Sequence, residues 1–168
     1  NPFNQKVVIV CGKGNNGGDG LIAHHYLKKY NVSSKIVFTE EKYGHANLIK
    51  KYKISKGDYS IYDDKEKFDK YDWIIDGIFG IGLSRELDDK YEKIIKNLNK
   101  NKNIVSIDIP SGLFTDSNQS KYSINSKHVI TFGFPKLGHF LNSTESLHIE
   151  DIGFANILLS KFKLLKIL

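Results

Sequence analysis

Short apolar runs rich in β-branched residues recur along the chain and alternate with longer stretches that space their apolar residues for a helix. Strand and helix in alternation require crossover connections, which are typical of a parallel sheet covered on both faces. The pattern therefore predicts a three-layer αβα domain with a doubly wound, mainly parallel sheet. Strands are predicted within 6–11, 34–38, 59–62, 72–76, 103–112, 128–138 and 147–153. Helices are predicted at 21–30, 45–54 and 87–100.

Length and charge further limit what kind of protein this chain is. A chain of 168 residues suits a single domain, and no apolar run approaches the roughly 20 residues needed to cross a bilayer. The net charge is +6, yet Arg85 is the only arginine among 25 basic residues. Since arginine is the preferred residue for gripping phosphates and bases, we expect no nucleic-acid partner. The single cysteine, Cys11, fits a reducing compartment and is predicted to be a buried apolar residue.

Polar residues follow four of the predicted strands at the point where each strand ends. The first strand runs into a glycine-rich loop, GKGNNGGDG. Asp76 closes the fourth strand, Asp108 closes the fifth with Ser111 just beyond, and Lys136 follows the sixth. Because ligands bind beyond the carboxyl ends of the strands in such sheets, we expect the four loops to form one site.

The glycine-rich loop matches the dinucleotide-binding pattern GxGxxG, and Glu40 stands where a ribose-binding acid is expected. These features support one alternative, an NAD(P)-dependent oxidoreductase. Asp19 counts against it, because an aspartate capping a helix that begins at Gly20 would occupy the N–H groups and repel a pyrophosphate. The chain also has no obvious histidine catalytic pair. We therefore expect the anionic part of a ligand at the second glycine loop, around Arg85.

Side chains near the first loop offer hard oxygen ligands. The amides of Asn15 and Asn16, the carboxylate of Asp76 and the hydroxyl of Ser111 together suit a weakly hydrated cation. A cation at this place would also offset the charge of the clustered acids. The same edge of the sheet is therefore predicted to hold both a cation and an organic ligand.

The histidines receive no chemical role at this level. His24 and His25 lie on the first predicted helix without a histidine or cysteine partner at ligand spacing, so zinc is not expected. The remaining four are scattered, and none of them is assigned to the site: His45, His128, His139 and His148.

Four motifs, in order and at sensible spacing, point to a family: VVIVCGKGNNGGDG, DGIFGIGLSRE, IVSIDIPSGL and TFGFPKLG. With them, the chain resembles the NAD(P)H-hydrate epimerases, also called the YjeF N-terminal domain family, from about Lys6 to Gly153. The resemblance implies a Rossmann-like fold, often dimeric, and a single domain over residues 1–168. Members of the family usually carry a helical segment before the first strand, and we expect this chain to lack it.

The resemblance implies repair of damaged nicotinamide cofactors. Water added across a ring double bond gives R and S hydrates at C6, called NADHX and NADPHX. The family interconverts the two forms, so that a separate dehydratase acting on the S form can repair both. Members bind one potassium ion per subunit, at positions that match Asn16, Asp76 and Ser111. The substrate-binding positions match Asn15, Asn16, Gly17, Gly18, Asp19, Gly80, Ile81, Gly82, Leu83, Ser84, Arg85, Glu86 and Asp108.

The chemistry of such a hydrate needs no redox step and no carbanion, because the reacting carbon carries a hydroxyl next to a ring nitrogen. The nitrogen can expel the hydroxyl to leave a planar iminium, which water attacks from either face; ring opening and reclosure is the other route. Both routes need a group that protonates the leaving oxygen and deprotonates the returning one. Asp108 is the candidate, since it ends a buried strand and is not needed for the cation. Lys136 contacts the ligand, orients Asp108 or is a solvated loop lysine.

A non-enzymatic alternative is a scaffold, since some proteins that resemble this family use the same domain in RNA-decapping assembly or other protein contacts. The site motifs tend to decay in such proteins, whereas GNNGGDG and DIPSG are present here. We expect a cytoplasmic protein without a membrane partner, and an organelle such as the mitochondrion stays open. The sequence does not decide between NADHX and NADPHX, or whether the chain forms a homodimer.

Overall fold

The computed structural model describes residues 4–115, 121–141 and 146–153. Within these stretches the centre of the molecule is a seven-stranded sheet in the order β3-β2-β1-β4-β5-β6-β7, and every neighbouring pair is parallel. The predicted doubly wound αβα architecture is confirmed, and the boundaries of the predicted domain at 1 and 168 lie outside the described residues. The strands are β1 (Lys6–Cys11), β2 (Ser33–Phe38), β3 (Tyr59–Ile61), β4 (Trp73–Gly77), β5 (Ile104–Ile107), β6 (His128–Phe132) and β7 (Ser146–Glu150).

Helices cover the two faces of the sheet. They are α1 (Asn15–Lys29), α2 (Ala46–Lys51), α3 (Asp89–Leu98) and α4 (Leu137–Leu141), with a short 3₁₀ helix at Lys56–Asp58. The helices α1 and α2 contribute to the core on one face, and α3 builds the core on the other. In the part of the chain that is described, no helix has the length and apolar character needed to span a membrane.

Alternate side chains of β1 feed these two cores. Val10 packs with Ile94 of α3, while Ile9 and Cys11 pack with Leu21 of α1, and all five side chains are fully buried. Burying each large aliphatic side chain contributes about 1.5–3 kcal/mol, which makes the central strand the best-anchored part of the sheet. Cys11 is the buried apolar residue that was predicted, and burial raises the pKa of its thiol.

The strand order reverses at β1, which lies between β2 and β4. In the register of the sheet, Cys11 is paired with both Phe38 and Gly77, so the loops after β1, β2 and β4 leave the sheet side by side. A crevice therefore opens at the carboxyl ends of these strands, which is the usual position of a ligand in a doubly wound sheet.

Helix α1 begins at Asn15, well before the predicted start at residue 21. Glycine is a poor helix former, so the sequence pattern did not indicate a helix through this stretch. Close packing on the strands compensates, because a methyl group on Gly17 would overlap the carbonyl oxygen of Gly12. The predicted role of Asp19 as the cap of a helix beginning at Gly20 is therefore wrong.

The helix start is capped by backbone alone. Gly14 is the N-cap residue, with φ −83° and ψ −174°, and no side chain caps the first turn. Asp19 instead lies in the second turn of α1. The N–H groups of the first turn are thus not occupied by a carboxylate, so no side-chain cap keeps an anion from this end of the helix, although the charge of Asp19 lies nearby.

The other helices also differ from their predicted bounds. Both α2 and α3 are shorter than expected, and Asp88 starts α3 as its N-cap by accepting a hydrogen bond from the main-chain N–H of Tyr91 at 3.0 Å. Helix α4 was not predicted, because five residues after the Pro-Lys turn are too few for a periodic pattern.

Candidate active site

A cleft of about 710 Å³ lies at the carboxyl ends of the strands. The start of α1, the loop after β4, the end of β5 and the loop after β6 all contribute to its wall, so the four loops meet as predicted. The described residues that line it are Lys13, Gly14, Asn15, Asn16, Asp19, Ile78, Phe79, Gly80, Ile81, Gly82, Leu83, Tyr91, Asp108, Phe132, Phe134, Lys136 and Ile152.

A second cavity, of about 480 Å³, lies against the sheet itself. Its wall is mainly apolar and includes Val7 of β1, Leu27 of α1, Ile75 of β4 and Ile130 of β6. None of the glycine-rich loops reaches it. The chemistry expected from the sequence is therefore placed in the larger cleft.

The first glycine loop is held against the end of β4. The main-chain N–H of Gly12 donates to the carbonyl of Gly77 at 3.0 Å, and a methyl group on Gly12 would overlap the carbonyl oxygen of Ile78. His45, to which the sequence assigned no role, is buried and lies with Nε2 2.9 Å from the carbonyl oxygen of Gly12. These contacts bring the start of α1 directly beside the loop after β4.

We expect Gly17→Ala to lower the free energy of unfolding by about 1–3 kcal/mol, the usual cost of overpacking. The new methyl group would overlap the carbonyl oxygen of Gly12 and lie 3.0 Å from Nε2 of His45, which outweighs the better helix propensity of alanine. Urea unfolding followed by circular dichroism measures this change. Gly14→Ser is the matched control, because nothing lies within 4 Å of a side chain there and serine is a good N-cap. Equal stability of Gly17→Ala and the wild type would contradict the close packing.

Asp76 lies fully buried below the cleft and is held by four hydrogen bonds. Its Oδ1 accepts from the hydroxyl of Ser111 at 2.6 Å and from the N–H of Ile78 at 3.2 Å. Its Oδ2 accepts from the N–H of Ser111 at 2.9 Å and from the hydroxyl of Ser106 at 2.7 Å. Burial raises the pKa of Asp76, and the hydrogen bonds from Ser111, Ser106 and Ile78 oppose that rise.

The three predicted potassium ligands lie close together and are linked through the main chain of Phe79 and the hydroxyl of Ser111. The amide Nδ2 of Asn16 donates to the carbonyl oxygen of Phe79 at 2.8 Å, and the N–H of Phe79 donates to the hydroxyl of Ser111 at 2.9 Å. Ser111 in turn binds Asp76. The cluster contains a hydroxyl, a carboxylate and a main-chain carbonyl, and an amide whose Nδ2 also donates to the carbonyl of Ile107 at 3.1 Å while its oxygen lies beside Gly80. Across the described stretches, no lysine, arginine or histidine forms an ion pair with Asp76.

Asp108 closes β5 in a backbone conformation unusual for its type. Its φ is +66°, in the left-handed region that residues other than glycine rarely adopt. Its Oδ1 accepts hydrogen bonds from Nζ of Lys136 at 2.5 Å and from the hydroxyl of Thr131 at 3.1 Å. Its Oδ2 faces Gly80, where a Cβ would lie 3.4 Å away. One carboxylate oxygen is thus held by protein donors, and the other lies beside Gly80, which lines the floor of the cleft.

Lys136 is anchored rather than extended into solvent. Besides its ion pair with Asp108, its Nζ donates to the hydroxyl of Thr131 at 2.6 Å and lies 3.4 Å from the carbonyl of Phe132. Thr131 is a fully buried residue of β6 that the sequence analysis did not single out. The only sequence signal for it is a polar residue near the end of the apolar strand HVITF.

Asp19 provides a second carboxylate in the cleft. Asp19 is exposed and lines the cleft. Partial loss of solvation raises its pKa, and the negative charge of Asp108 raises it further to a smaller degree. The two acids are 89 positions apart in sequence by subtraction of their numbers, and only the fold brings them to one cleft.

Glu40, the candidate ribose-binding acid, is already engaged. It accepts a hydrogen bond from the hydroxyl of Tyr91 at 2.5 Å and lies 3.7 Å from Nζ of Lys13. The bond from Tyr91 lowers the pKa of Glu40, while burial and Glu40 raise the pKa of Tyr91 to about 12. Tyr91 and Lys13 line the cleft, and Glu40 stands behind them.

Not every predicted binding residue reaches the cavity wall. Gly17 and Gly18 are buried behind it, in the first turns of α1. In the second glycine loop, Gly80, Ile81, Gly82 and Leu83 line the cleft. The following three residues are exposed and lie outside the lining, which leaves the expected anion site around Arg85 a prediction: Ser84, Arg85 and Glu86.

Fold and site together define a class: a doubly wound α/β domain whose switch-point cleft holds the ion-paired Asp108 above the buried, hydrogen-bonded carboxylate of Asp76. The family model described as "YjeF-related protein N-terminus" matches residues 1–138. The chain belongs to this family.

Individual relatives agree with the assignment. A bifunctional NAD(P)H-hydrate repair enzyme from Dictyoglomus turgidum is 39% identical over 82% of this chain, and an NAD(P)H-hydrate epimerase from Weissella koreensis is 32% identical over 89%. The chain spans 28% of the first relative's length and 71% of the second's. The crystal structure of the yeast protein ynu0, YNL200c, has the same fold, with a TM-score of 0.77 and 23% identity over 94% of this chain and 71% of the yeast chain.

Proposed function

We propose that the chain interconverts the R and S hydrates of reduced nicotinamide cofactors, NADHX and NADPHX, at C6. Relatives named NAD(P)H-hydrate epimerase support the substrate class. The observation that carries the proposal is the placement of Asp108 in the cleft, with one carboxylate oxygen held by Lys136 and Thr131 and the other turned to the floor. A carboxylate in this position can move a proton at a bound carbinolamine.

The proposed steps need only proton transfer and positioning. The ring nitrogen expels the C6 hydroxyl as the leaving oxygen takes a proton through Asp108 from the Lys136–Asp108 pair, in which the ammonium is the proton source. Water then adds to the other face of the planar iminium as Asp108 takes up the released proton. Lys136 holds the carboxylate in place through Oδ1, and Asp19, whose pKa is raised, is a further carboxyl group in this cleft that can exchange a proton.

A potassium ion fits the residues below the cleft. The side chains of Asn16, Asp76 and Ser111 would hold it through their oxygens, with Asn16 binding through Oδ1 because its Nδ2 donates to the carbonyls of Phe79 and Ile107. When bound, the ion would supply positive charge beside the buried carboxylate of Asp76. Tying Asn16 of α1 to Ser111 after β5 would also fix the floor on which the substrate lies.

The proposed function includes a partner enzyme that consumes the S hydrate. The relative from Dictyoglomus turgidum is named as a bifunctional NAD(P)H-hydrate repair enzyme, which supports a second repair activity beside epimerisation, and a dehydratase that consumes the S form is our candidate for it. We propose that this chain supplies that form to a dehydratase. Engagement of Glu40 by Tyr91 disfavours the oxidoreductase alternative, because the acid that would bind a ribose is already hydrogen-bonded.

The function is tested by coupling the chain to a dehydratase specific for the S hydrate. Purified R hydrate is incubated with the dehydratase, with and without this chain, and the near-ultraviolet absorbance of the reduced cofactor is followed. We expect the dehydratase alone to leave the R form and the pair to recover all of it. If recovery is no faster with the chain present, the proposed function is wrong.

Potassium is expected to raise the melting temperature of the chain and the rate of epimerisation, because binding to the folded state alone stabilises it. The melting temperature is measured in potassium chloride and in tetramethylammonium chloride at equal ionic strength. Ser111→Ala is the matched variant and should respond less to potassium, since it removes one proposed ligand. Identical melting curves of the wild type in both salts would refute the potassium site.

A further inference from the structure

His139 makes two hydrogen bonds that join separate parts of the site. It lies in α4, is 4% exposed and does not line the cleft. Its Nδ1 accepts from the main-chain N–H of Lys136 at 3.0 Å, and its Nε2 lies 2.8 Å from the main-chain oxygen of Asp108. Because Nδ1 faces an N–H donor, the ring proton must be on Nε2, which therefore donates to Asp108.

The left-handed backbone of Asp108 needs such support. A non-glycine residue with φ +66° persists only where its surroundings hold it. The N–H of Asp108 donates to the carbonyl of Ile130 in β6 at 2.7 Å, and its own carbonyl accepts from His139. Both main-chain polar groups of Asp108 are thus anchored, one by the sheet and one by α4.

Helix α4 is well placed to act as this anchor. The N–H of Gly138 donates to the carbonyl of Thr115 at 2.9 Å, and a methyl group on Gly138 would overlap the carbonyl oxygen of Phe114. The helix therefore packs on the segment that follows Asp108. The same turn carries Lys136, whose ammonium binds the Asp108 carboxylate.

We infer that His139 is a positioning residue, whose Nε2–H bond to the main-chain carbonyl of Asp108 holds that left-handed residue in place and so fixes its carboxylate beside the Lys136 ammonium, while the bond from the Lys136 N–H to Nδ1 sets the tautomer. The inference rests on the proposed function, because it gives Asp108 the proton-transfer role. Burial lowers the pKa of His139, which keeps the ring in the neutral form that this pair of bonds requires.

Two substitutions separate the two bonds. The amide nitrogen of glutamine extends about as far as Nε2, so His139→Gln keeps a donor for the Asp108 carbonyl. Asparagine reaches only as far as Nδ1, so His139→Asn keeps an acceptor for Lys136 and loses that donor. We expect His139→Asn to lower kcat by about 10–100-fold through misplacement of Asp108, and His139→Gln to stay within about threefold of the wild type. KM should stay within about twofold in both, since His139 does not line the cleft.

His24→Gln is the control for loss of a buried histidine. His24 is 2% exposed in α1 and bonds Ser34 through Nδ1 at 3.0 Å, away from the cleft. It should leave kcat unchanged even if the melting temperature falls. If His139→Asn and His139→Gln lose kcat equally, or if neither loses any, the positioning role is overturned.

A measurement on the wild type is independent of activity and of the folding of any variant. The imidazole nitrogen chemical shifts of His139 should show a protonated Nε2 and an unprotonated Nδ1. A proton on Nδ1 would overturn the inference. If the tautomer is as expected but the wild type does not epimerise the hydrates, the proposed function is wrong while the tie between His139 and Asp108 stands.

Discussion

Asp108→Asn is expected to slow the interconversion of the R and S hydrates by a factor of about 10²–10⁴, the usual contribution of one acid–base group. Asparagine keeps the size of the side chain and an oxygen that can accept from Thr131, but it cannot exchange a proton at the substrate. It also removes the negative partner of Lys136. Epimerisation is measured with purified R hydrate, and KM should change much less than kcat because binding surfaces remain.

The control for this experiment is Asp69→Asn, which changes an exposed aspartate that does not line the cleft. It should epimerise the hydrates at the wild-type rate. The circular dichroism spectra of both variants should match that of the wild type, since Asp108 lies at a strand end and not in a core cluster. An Asp108→Asn variant that equilibrates the epimers as fast as the wild type would remove Asp108 from its role.

Asp76→Ala is expected to lower the free energy of unfolding by about 3–5 kcal/mol, because each buried donor left without a partner costs about 1–3 kcal/mol. Four donors would lose their acceptor: the hydroxyl of Ser106, the N–H of Ile78, and the N–H and hydroxyl of Ser111. Relief of the buried charge opposes this loss, so the net change falls below the simple sum of the four. Urea unfolding in the absence of potassium measures it without a contribution from a bound cation.

Asp72→Ala is the matched control, because Asp72 precedes the same strand and is exposed, and among the described residues its carboxylate accepts one hydrogen bond, from the N–H of Lys6 at 2.7 Å. The free energy of unfolding of Asp72→Ala should fall by less than about 1 kcal/mol, as for substitutions of other exposed polar groups. If Asp76→Ala unfolds at the same urea concentration as Asp72→Ala, the buried cluster does not contribute to stability in the way described here.

The sheet and its functional edge could be predicted because their signals are local. Runs such as VVIVC and WIID are apolar and β-branched, and their alternation with helical stretches requires parallel strands. Once the strands are parallel, Asp76 and Asp108 must share an edge, since each closes its strand. The same reasoning about strand ends brings Asn16 and Ser111 near Asp76, whereas their contacts with the main chain of Phe79 are seen only in the structure.

The start of α1 could not be predicted, because its cause is tertiary. Gly17 and Gly20 are poor helix formers, and the pattern of apolar residues begins only after them. Their lack of a side chain is what allows the helix to lie against the backbone of Gly12 and the thiol of Cys11. The wrong start led directly to the wrong cap at Asp19.

His139 was missed for a related reason. Its partner Asp108 lies 31 positions earlier in the sequence, and the contact exists only because α4 folds back onto the segment after β5. Neither the left-handed φ of Asp108 nor a five-residue helix leaves a periodic signal in the sequence. Residues that position a catalytic group through its main chain are therefore visible only in the fold.

The central claim is that this cleft interconverts the two hydrates without another enzyme. Proton NMR of the C6 position of purified R hydrate, recorded with a catalytic amount of the wild-type chain in potassium buffer, tests it most directly. The account predicts that the S signal grows until both epimers reach equilibrium, far faster than in buffer alone. An R signal that decays no faster than in buffer would contradict it.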